Sequence, residues 1–474
     1  MRVLLVGSGA REHILGETLV RAGAELLVVA AHPNPGLSEI ARRFETIPYD
    51  GDGGAAIAAY ARRRRVDYAV IGPEAPLARG VADRLRAEEI PVVGPSQAAA
   101  RIESSKRFCR ELLVAHGIDA APRFVAVDRP DELPGAIGSL GGPFVVKPVG
   151  LTAGKGVLVQ GADFATPEEG ALLARRLLAS PAGAEGVLLE ERLEGEEFSL
   201  MALVTDSGVY PLPAVQDYKR AGEGGTGGNT GGMGSYSQRD HLLPFLAAEH
   251  RDRAVRILTD TVAALRAEGL RYRGVLYGGF MLTARGPRLL EFNARFGDPE
   301  ALNVLTLYEP GEFDRLLHGV ATGAVDRGLL SFRLRATVVK YVVPIGYGGA
   351  PEIGAEVTFD RPLLEDAGVR LYFGSVVPAG AGAVRLTASR GLALVGEASA
   401  VAEAGARVEA ALAGVRGRYA VRHDIGTKED LSRRVEHLRK LFHPGAAPSP
   451  LPLSVRPPDA PPSSAGAPDQ VLEA

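Results

Sequence analysis

The residues best suited to chemistry lie in one stretch of the sequence, 289–300. Its start predicts a β-strand, so Glu291 and Asn293, two positions apart, project from the same face. A carboxylate beside an amide oxygen offers hard oxygen ligands, which suit Mg²⁺ held partly by protein and partly by substrate phosphates. Arg295 follows on that face and can bind a carboxylate or phosphate through its fork of N–H donors. The next turn predicts a helix with Asp298 as N-cap, although alternation alone also fits an ordinary solvent-facing strand.

A glycine-rich loop upstream is flanked by lysines. Lys147 ends a predicted strand, and another predicted strand follows the loop. Glycines let the backbone approach phosphates closely, and lysines supply positive charge. The loop residues with these properties are Gly150, Gly154, Lys155 and Gly156. This is not a Walker loop, because the Walker spacing is absent and no helix follows. Lys106, at the start of a separate predicted helix, is a further cation that could also be merely exposed.

An acidic connector and a second glycine-rich segment follow. Residues 187–191 predict a strand that leaves into a connector rich in carboxylates. The backbone of such a connector can recognise adenine, and a carboxylate can accept from ribose hydroxyls. Residues 222–234 contain eight glycines among thirteen positions. Composition alone would allow a linker, but the position between two strand regions of one module favours a loop that covers substrate.

The first hundred residues alternate short β-rich runs with helical patterns, which predicts a parallel sheet with covering helices. The turn after the first strand contains Gly7 and Gly9, but Glu12 replaces the third glycine of a dinucleotide fingerprint, so NAD binding is not expected. A glycine turn before a helix can still bind phosphate through free N–H groups. Residues 72–77 end another strand at the same edge, where open α/β sheets bind ligands.

Length and composition restrict the class of protein. A chain of 474 residues is too long for one ordinary core, and two to four domains are expected. The net charge of −3 gives no bias toward nucleic acid or membranes. The single cysteine, Cys109, excludes an intramolecular disulfide framework. No apolar run approaches the roughly 18 residues of a membrane span, and no signal-peptide pattern precedes the first strand, so a cytoplasmic location is expected.

Separated lysines, a glycine loop, an acidic connector and a Glu-x-Asn strand together resemble the ATP-grasp superfamily. Five motifs more narrowly resemble the phosphoribosylamine–glycine ligase family, and they occupy residues 9–13, 72–77, 150–156, 229–234 and 291–300. The resemblance runs to about residue 435, and the last two motifs are highly specific. It implies an ATP-dependent ligase of purine biosynthesis. Such an enzyme joins glycine to 5-phosphoribosylamine through glycyl phosphate, with ADP and phosphate as the other products.

The resemblance also implies a role for each motif. ATP would be bound by Lys106, Lys147, Gly150, Gly154, Lys155, Gly156, Glu190, Glu191, Leu193 and Glu197. Mg²⁺ or Mn²⁺ would be held by Glu291 and Asn293. The phosphoribosylamine and glycine would be bound by Gly9, Arg11, Glu12, Gly72, Pro73, Glu74, Asn229, Thr230, Gly231, Gly232 and Asp298. Beyond the resemblance, we hypothesise catalytic roles for Arg295, Lys147 and Asp217, with Arg295 at the transferring phosphoryl group or the carboxylate and Asp217 near the ammonium of glycine.

The implied fold class is α/β and α+β in several domains. An open parallel α/β sheet would occupy residues 1–102, and an ATP-grasp domain residues 103–330, with a mobile nucleotide-clamping subdomain at about 122–192. A small mixed α/β domain would occupy residues 331–440. Residues 441–474 would form a disordered tail, because the last thirty are rich in Pro, Ala and Ser.

Four positions depart from the pattern of the family. Ala10 stands where glycine is common, Val149 where an aspartate usually precedes the glycine loop, and Gly228 where proline is usual. Tyr218 replaces a usual histidine. Val149 and Tyr218 each remove a potential polar contact, so we expect altered contacts at these two positions.

Two alternatives remain open from the sequence. The chain could be another ATP-grasp ligase, or a carboxylase subunit, that uses a different acid and nucleophile. It could also bind ATP without catalysis, although the intact pair of Glu291 and Asn293 argues against this. We expect small-molecule substrates, no nucleic acid or membrane partner, and a monomer or weak homodimer.

Overall fold

The amino-terminal region forms a parallel sheet. The structure, a computed structural model, describes residues 1–151 and 156–443, so Gly154, Lys155 and the tail from residue 444 lie outside the described residues. The elements of this region are β1 (Arg2–Val6), α1 (Ala10–Arg21), β2 (Glu25–Ala30), α2 (Pro35–Ile40), β3 (Arg43–Thr46), α3 (Gly53–Arg64), β4 (Tyr68–Ile71), α4 (Glu74–Ala78), α5 (Val81–Ala87) and β5 (Val92–Val93). The strand order is β3-β2-β1-β4-β5, and β1 and β4 are buried apolar runs because layers cover both faces of the sheet.

The strand order reverses between β1 and β4, so the turns after these two strands meet at one edge of the sheet. The turn after β1 contains Gly7 and Gly9, and the turn after β4 begins at Gly72. Open α/β sheets bind ligands at such a switch point. The predicted open parallel sheet is therefore confirmed. Gly80 adopts a φ of +73° and separates α4 from α5.

The next segment contains a small layer with its own core. Its elements are α6 (Gln97–Ser104), α7 (Lys106–Ala115), β6 (Phe124–Val127), α8 (Leu133–Leu140), β7 (Phe144–Pro148), β8 (Leu158–Val159), α9 (Pro167–Leu178) and β9 (Val187–Glu191). The strands form an antiparallel sheet in the order β6-β9-β7-β8. Apolar residues of this sheet pack with α8 and α9 in a cluster separate from the main core. The sheet and these two helices form the small layer. The layer coincides with the segment for which a clamping role is expected.

The central segment carries a second antiparallel sheet. Its elements are β10 (Glu196–Thr205), β11 (Gly208–Pro211), β12 (Gln216–Asp217), β13 (Gly234–Ser237), α10 (Ala248–Ala267), β14 (Gly274–Thr283), β15 (Gly286–Asn293), α11 (Glu300–Leu307) and α12 (Phe313–Thr322). The sheet order is β11-β10-β14-β15. Glu291 pairs with Gly279 and Leu289 with Phe280, so Leu290 is an extra residue in β15. A bulge of this kind changes the direction of the side chains beside it.

The carboxyl-terminal segment completes a sheet that begins earlier in the chain. Its elements are β16 (Ala336–Val342), β17 (Glu356–Phe359), α13 (Arg361–Asp366), β18 (Val369–Phe373), β19 (Val376–Pro378), β20 (Ala383–Leu386), β21 (Leu392–Ala398), α14 (Val401–Ala411), β22 (Val415–Gly417) and α15 (Lys428–Phe442). One sheet has the order β12-β13-β16-β21-β18, and a smaller one has the order β19-β20-β17-β22. The five-stranded sheet therefore combines strands from both sides of the boundary predicted at residue 331.

These layers confirm the predicted fold class of mixed α/β structure in several parts. Among the described residues, no helix combines the length and apolar character needed to traverse a bilayer.

Candidate functional site

A cleft of about 610 Å³ lies between the amino-terminal sheet edge, the small layer and the central sheet. It brings together most of the residues predicted to bind ligands. Those that line it are Arg11, Pro73, Glu74, Lys106, Lys147, Glu190, Glu191, Leu193, Glu197, Asp217, Asn229, Thr230, Gly231, Glu291, Asn293, Arg295 and Asp298. The sequence motifs, which lie up to almost three hundred positions apart, therefore form one cavity.

Six of the predicted residues that the structure describes do not line the cleft. These are Gly9, Glu12, Gly72, Gly150, Gly156 and Gly232. Gly232, with a φ of +113°, lies against Asp217, since a Cβ there would be 2.6 Å from Asp217 Oδ1. Gly150 accepts a hydrogen bond at its carbonyl from Lys106 Nζ at 2.9 Å. Gly232 and Gly150 therefore contact residues that do line the cleft.

The buried carboxylate of Glu12 explains the glycines at the sheet edge. Gly9 N–H donates to Glu12 Oε2 at 2.6 Å, and Arg11 Nε donates to Oε1. A Cβ on Gly72 would lie 2.1 Å from the same carboxylate. The Gly9 N–H, which we expected to be free for a phosphate, is thus bonded to Glu12. Arg11 is left at the cleft wall, where Nη1 donates to the carbonyl of Phe296 at 3.1 Å.

The bulge in β15 joins the small layer to the central sheet. The carbonyl of Leu290 accepts hydrogen bonds from Arg110 Nη2 at 2.7 Å and from Lys147 Nζ at 3.3 Å. Both cations also contact Glu190 of β9. Burial opposes ionisation of Glu190, but Arg110 and Lys147 outweigh it and lower its pKa to about 2. A charged trio therefore forms this wall of the cleft.

Lys106 is placed by the start of α7. Ser105 is the N-cap, and its side chain accepts from the N–H of Phe108. The backbone N–H of Lys106 donates to the carbonyl of Val149 at 3.0 Å. Burial lowers the pKa of Lys106, with Glu291 acting in the opposite direction. The ammonium group therefore lies at the entrance of the glycine loop and faces the same space as Lys147.

Glu291 and Asn293 both face the cleft, as the alternation of the strand predicts. Lys219 Nζ lies 4.0 Å from Glu291 Oε1 and 3.3 Å from Glu197 Oε2. Burial opposes ionisation of Glu291, but Lys219 and Lys106 outweigh it and lower its pKa. One carboxylate and one amide oxygen fit a divalent cation whose other ligands are phosphate oxygens and water. The described residues hold no cluster of three or more His, Cys, Asp or Glu side chains that would bind a metal by themselves.

Arg295 lies just beyond the end of β15. Nη2 donates to Asn293 Oδ1 at 3.1 Å, and the guanidinium lies 3.3 Å from Glu103 and 3.5 Å from Glu74. Burial is the main cause that raises the pKa of Glu103 to about 7, although Arg295 acts against it. The prediction that Arg295 continues the strand face is wrong in detail, but its guanidinium still returns to the cleft beside Asn293.

The predicted N-cap role of Asp298 is wrong. The helix α11 begins at Glu300, with Pro299 as its N-cap and no side-chain capping bond. Asp298 instead accepts from the hydroxyl of Tyr341 at 2.5 Å and lies 3.2 Å from Arg390 Nη2. Both partners come from the carboxyl-terminal segment, and their hydrogen bonds hold the side chain away from the helix end.

Asp217 is a carboxylate in an acidic part of the cleft. Its Oδ1 atom is buried and has no hydrogen-bond partner among the described residues. Burial and the nearby Glu300 raise the pKa of Asp217 well above its usual value, although Lys219 acts in the opposite direction. A buried oxygen without a partner is costly, so this position favours a ligand that brings a hydrogen-bond donor or a positive charge.

The glycine-rich segment 222–234 joins two neighbouring antiparallel strands, β12 and β13, which argues against a linker between domains. Contacts from the carboxyl-terminal segment hold it at both ends. Arg390 Nη1 donates to the carbonyl of Gly231 at 2.6 Å, and Gly224 N–H donates to Asp424 Oδ2 at 2.9 Å. Its predicted role as a loop over substrate is consistent with Thr230 and Gly231 in the cleft wall.

Comparisons with known proteins agree with these motifs. Family models described as "Phosphoribosylglycinamide synthetase, N domain" and "Phosphoribosylglycinamide synthetase, ATP-grasp (A) domain" match residues 1–103 and 104–301. The phosphoribosylamine–glycine ligase of Pyrococcus abyssi is 43% identical over 93% of this chain and 98% of its own length. That of Methanoregula boonei is 41% identical over 93% of this chain and 100% of its own length. The chain belongs to the phosphoribosylamine–glycine ligase family.

Solved structures show the same fold. The phosphoribosylamine–glycine ligase of Thermotoga maritima superposes with a TM-score of 0.74 at 28% identity, over 90% of this chain and 100% of that one. The biotin carboxylase domain of the Hydrogenobacter thermophilus 2-oxoglutarate carboxylase has a TM-score of 0.69 at 15% identity, over 93% of this chain and 98% of that one. The second likeness concerns the fold alone. As a member of this ligase family, the chain is an ATP-grasp enzyme.

Several residues of this ligase site were missed from the sequence. They are Glu103, Arg110, Lys219, Glu300 and Arg390, all of which line the cleft. Lys219 could have been found, because a lysine two residues after Asp217 shares its strand face. Arg110 lies in an amphipathic helix and Arg390 lies in a loop. No local sequence pattern distinguishes a site residue from a surface cation at either position.

Proposed function

We propose that this enzyme ligates glycine to 5-phosphoribosylamine through a glycyl phosphate intermediate, with ATP as co-substrate. The observation that supports this best is that the predicted nucleotide residues and the predicted acceptor residues line one cleft. A group transferred from ATP at one end can therefore reach a second substrate at the other without leaving the protein. Family membership supports the ligation of glycine to phosphoribosylamine.

The nucleotide would lie against the small layer. We assign the phosphates to Lys106 and Lys147, the adenine to the connector from Glu190 to Leu193, and the ribose hydroxyls to Glu197. Lys147 reaches the cleft from β7, and Glu191 is fixed by Arg123 and Arg285. Glu190 acts on the phosphates indirectly, because its carboxylate holds Lys147 at 2.6 Å.

The first step brings together two negatively charged groups, so the site needs positive charge at the phosphates. The carboxylate of glycine must attack the γ-phosphate although both are negative. Glu291 and Asn293 would hold Mg²⁺ or Mn²⁺, which would supply charge neutralisation at the phosphates. Arg295 lies beside Asn293 and would stabilise the transferring phosphoryl group or the glycine carboxylate. Lys106 and Lys147 add two further cations to the same space.

Asp217 would bind the ammonium of glycine. Its buried Oδ1 atom lacks a partner among the described residues, and Glu300 adds a second carboxylate nearby. A bound ammonium would satisfy the oxygen and favour the charged form of the carboxyl. The position also orients the glycine carboxylate away from Asp217, toward the cationic side of the cleft.

The second step requires water to be excluded and the amine to approach. Glycyl phosphate hydrolyses easily, so we propose that segments 150–156 and 222–234 cover the site. The turns that carry Arg11 and Glu74 would bind the phosphoribosyl group at the sheet edge. We also propose that the enzyme works in the cytoplasm as a monomer or weak homodimer.

The test is phosphate release from ATP and Mg²⁺ with each substrate omitted in turn. Phosphoribosylamine can be made in place from ribose 5-phosphate and ammonia. We expect release only when both substrates are present, with glycinamide ribonucleotide formed in equal amount. Release that does not depend on glycine would reject the proposed substrate, and bound ATP without release would reject catalysis. Trapping with hydroxylamine should give glycine hydroxamate when phosphoribosylamine is absent, if glycyl phosphate forms first.

A further inference from the structure

Tyr218 connects the ligand-binding strand β12 to the last helix of the described chain. The side chain is buried, with 1% of its surface exposed. Its hydroxyl donates a hydrogen bond to Asp430 Oδ2 of α15 at 2.6 Å. The guanidinium groups of Arg422 and Arg434 lie over its ring, with their central carbons 4.8 Å and 4.5 Å from the ring centroid. The residue that replaces the usual histidine thus has several partners.

The partners of Tyr218 are themselves fixed. Asp430 Oδ2 also accepts from Arg434 Nε at 2.8 Å, and Arg434 Nη1 lies 2.8 Å from Glu196 Oε2 of β10. Burial opposes ionisation of Asp430, but Arg434 outweighs it and lowers the pKa of that carboxyl. Burial raises the pKa of Tyr218. At neutral pH the pair is therefore a phenol that donates to a carboxylate, which is a strong form of hydrogen bond.

The neighbours of Tyr218 in sequence face the cleft. Successive side chains of an extended segment point to opposite sides, so Asp217 and Lys219 share one side of the strand, while Tyr218 projects toward α15 at the border of the same cleft. Strand pairing continues through this position, since Tyr218 N–H donates to the carbonyl of Gly234 at 3.0 Å. Arg422 Nη1 also donates to the carbonyl of Arg220 at 2.9 Å. The carboxyl-terminal segment therefore holds the strand on the side of Tyr218, where Tyr218, Arg422 and Arg434 also border the cleft.

We propose that Tyr218 is a positioning residue, which fixes Asp217 and Lys219 in the cleft through its bond to Asp430 and the contacts of its ring with Arg422 and Arg434. Lys219 lies 3.3 Å from Glu197 and 4.0 Å from Glu291, so a displaced strand moves the cation that joins the ribose site to the metal site. Asp217 moves with it. The proposal rests on the proposed function in that Asp217 binds glycine, and in that Glu197 and Glu291, which Lys219 contacts, bind the nucleotide and its metal.

The test compares Tyr218→Phe with Tyr68→Phe. Both variants remove the hydroxyl of a buried tyrosine, but Tyr68 donates to the carbonyl of Asp314, far from β12. We expect Tyr218→Phe to raise the KM for ATP and for glycine together by about ten-fold, because small misplacements of binding groups have effects of this size or larger. The KM for phosphoribosylamine should stay unchanged. Tyr68→Phe should lower the Tm about as much as Tyr218→Phe does, but it should leave all three KM values unchanged.

A second pair of variants keeps the test decisive. Asp430→Asn leaves the tyrosine ring in place and should raise the same two KM values. It therefore tests the proposal even if Tyr218→Phe does not fold. The double variant should be no worse than Asp430→Asn alone, since Tyr218→Phe removes a bond that Asp430→Asn has already weakened. Unchanged KM values for ATP and glycine in both single variants would overturn the proposal and leave Tyr218 a structural residue. Failure of the proposed function is separate, because it would appear in the unmodified enzyme as turnover that ignores glycine.

Discussion

The carboxylate of Glu190 lies between two cations, with Oε1 2.7 Å from Arg110 Nε and Oε2 2.6 Å from Lys147 Nζ. Arg110 belongs to α7, Lys147 to β7 and Glu190 to β9, so one ion cluster connects the small layer to the rest of the protein. The exposed fractions of the three side chains are between 2% and 10%. The cluster therefore has structural importance as well as a proposed role at the phosphates.

Glu190→Gln should destabilise the fold. It leaves two buried cations without their anion, and breaking a buried ion pair in this way typically lowers the free energy of unfolding by about 3–5 kcal/mol. Urea denaturation at pH 7 measures the change. The control is Glu194→Gln, an exposed carboxylate in the same connector, whose effect should stay within about 0.5 kcal/mol. Equal effects of the two substitutions would contradict the importance given to the cluster.

The role of Asn293 as a metal ligand can be tested through the Mg²⁺ requirement of the enzyme. Asn293→Asp keeps an oxygen at the site, whereas Asn293→Leu removes it. We expect Asn293→Leu to lower kcat by about 10²-fold or more, the size seen when one preorganised electrostatic contact is lost, and to raise the half-saturating Mg²⁺ concentration. Asn293→Asp should retain Mg²⁺ binding. An unchanged Mg²⁺ titration in Asn293→Leu would show that this amide is not a ligand.

Arg295→Ala should lower kcat by about 10²- to 10³-fold, because it removes a preorganised cation from the proposed transfer site. Steady-state assays with saturating ATP measure the loss, and added guanidinium should restore part of the rate. Arg295→Lys is the matched variant, since it keeps the charge but loses the fork of donors that contacts Asn293 and Glu103. If Arg295→Ala keeps both its turnover and its KM for glycine, the assigned role is wrong.

The stability of the fold should depend on pH through His13. Its Nδ1 accepts from the N–H of Phe373 at 3.0 Å, and burial, assisted by Arg361, lowers its pKa to about 3. The unfolded chain binds a proton below about pH 6.5 and the folded one does not, so this contribution is complete above that pH. It decreases by up to roughly 1.4 kcal/mol per pH unit as the pH falls toward 3.

Urea denaturation at pH 5 and pH 7 tests the role of His13. His13→Gln keeps a hydrogen-bond acceptor but cannot gain a proton, so its free energy of unfolding should change less between the two pH values than that of the unmodified enzyme. His32→Gln, at an exposed position, should retain the full pH dependence. A pH dependence that persists unchanged in His13→Gln would assign it to other groups.

Local patterns of the sequence predicted much of the fold, and the family resemblance supplied many of the residues that line the cleft. Strand alternation placed Glu291 and Asn293 on one face, and the separate glycine turns proved to share one sheet edge. The misses have a common physical cause, which is contact over long sequence distances. Asp298 was predicted as an N-cap from its neighbours, but Tyr341 and Arg390, 43 and 92 positions away, hold its side chain.

The bulge at Leu290 has the same explanation. Nothing in the sequence of β15 distinguishes an extra residue from a regular one, because the bulge depends on the pairing with β14. Its exposed carbonyl then fixes Arg110 and Lys147, so an irregular pairing determines where two site cations lie. The raised pKa of Glu103 was equally hidden, since burial causes it and Arg295 acts against it.

The five-stranded sheet that takes β12 and β13 from one part of the chain and β16 from another affects how the protein is made. β13 pairs directly with β16, whose first residue is synthesised 99 positions after the last residue of β13. Until then, β13 has an unpaired edge, and unpaired strand edges associate readily with other chains. A fragment that ends at residue 330 should therefore aggregate, and the glycine-rich segment can reach its final position only after β16 has left the ribosome.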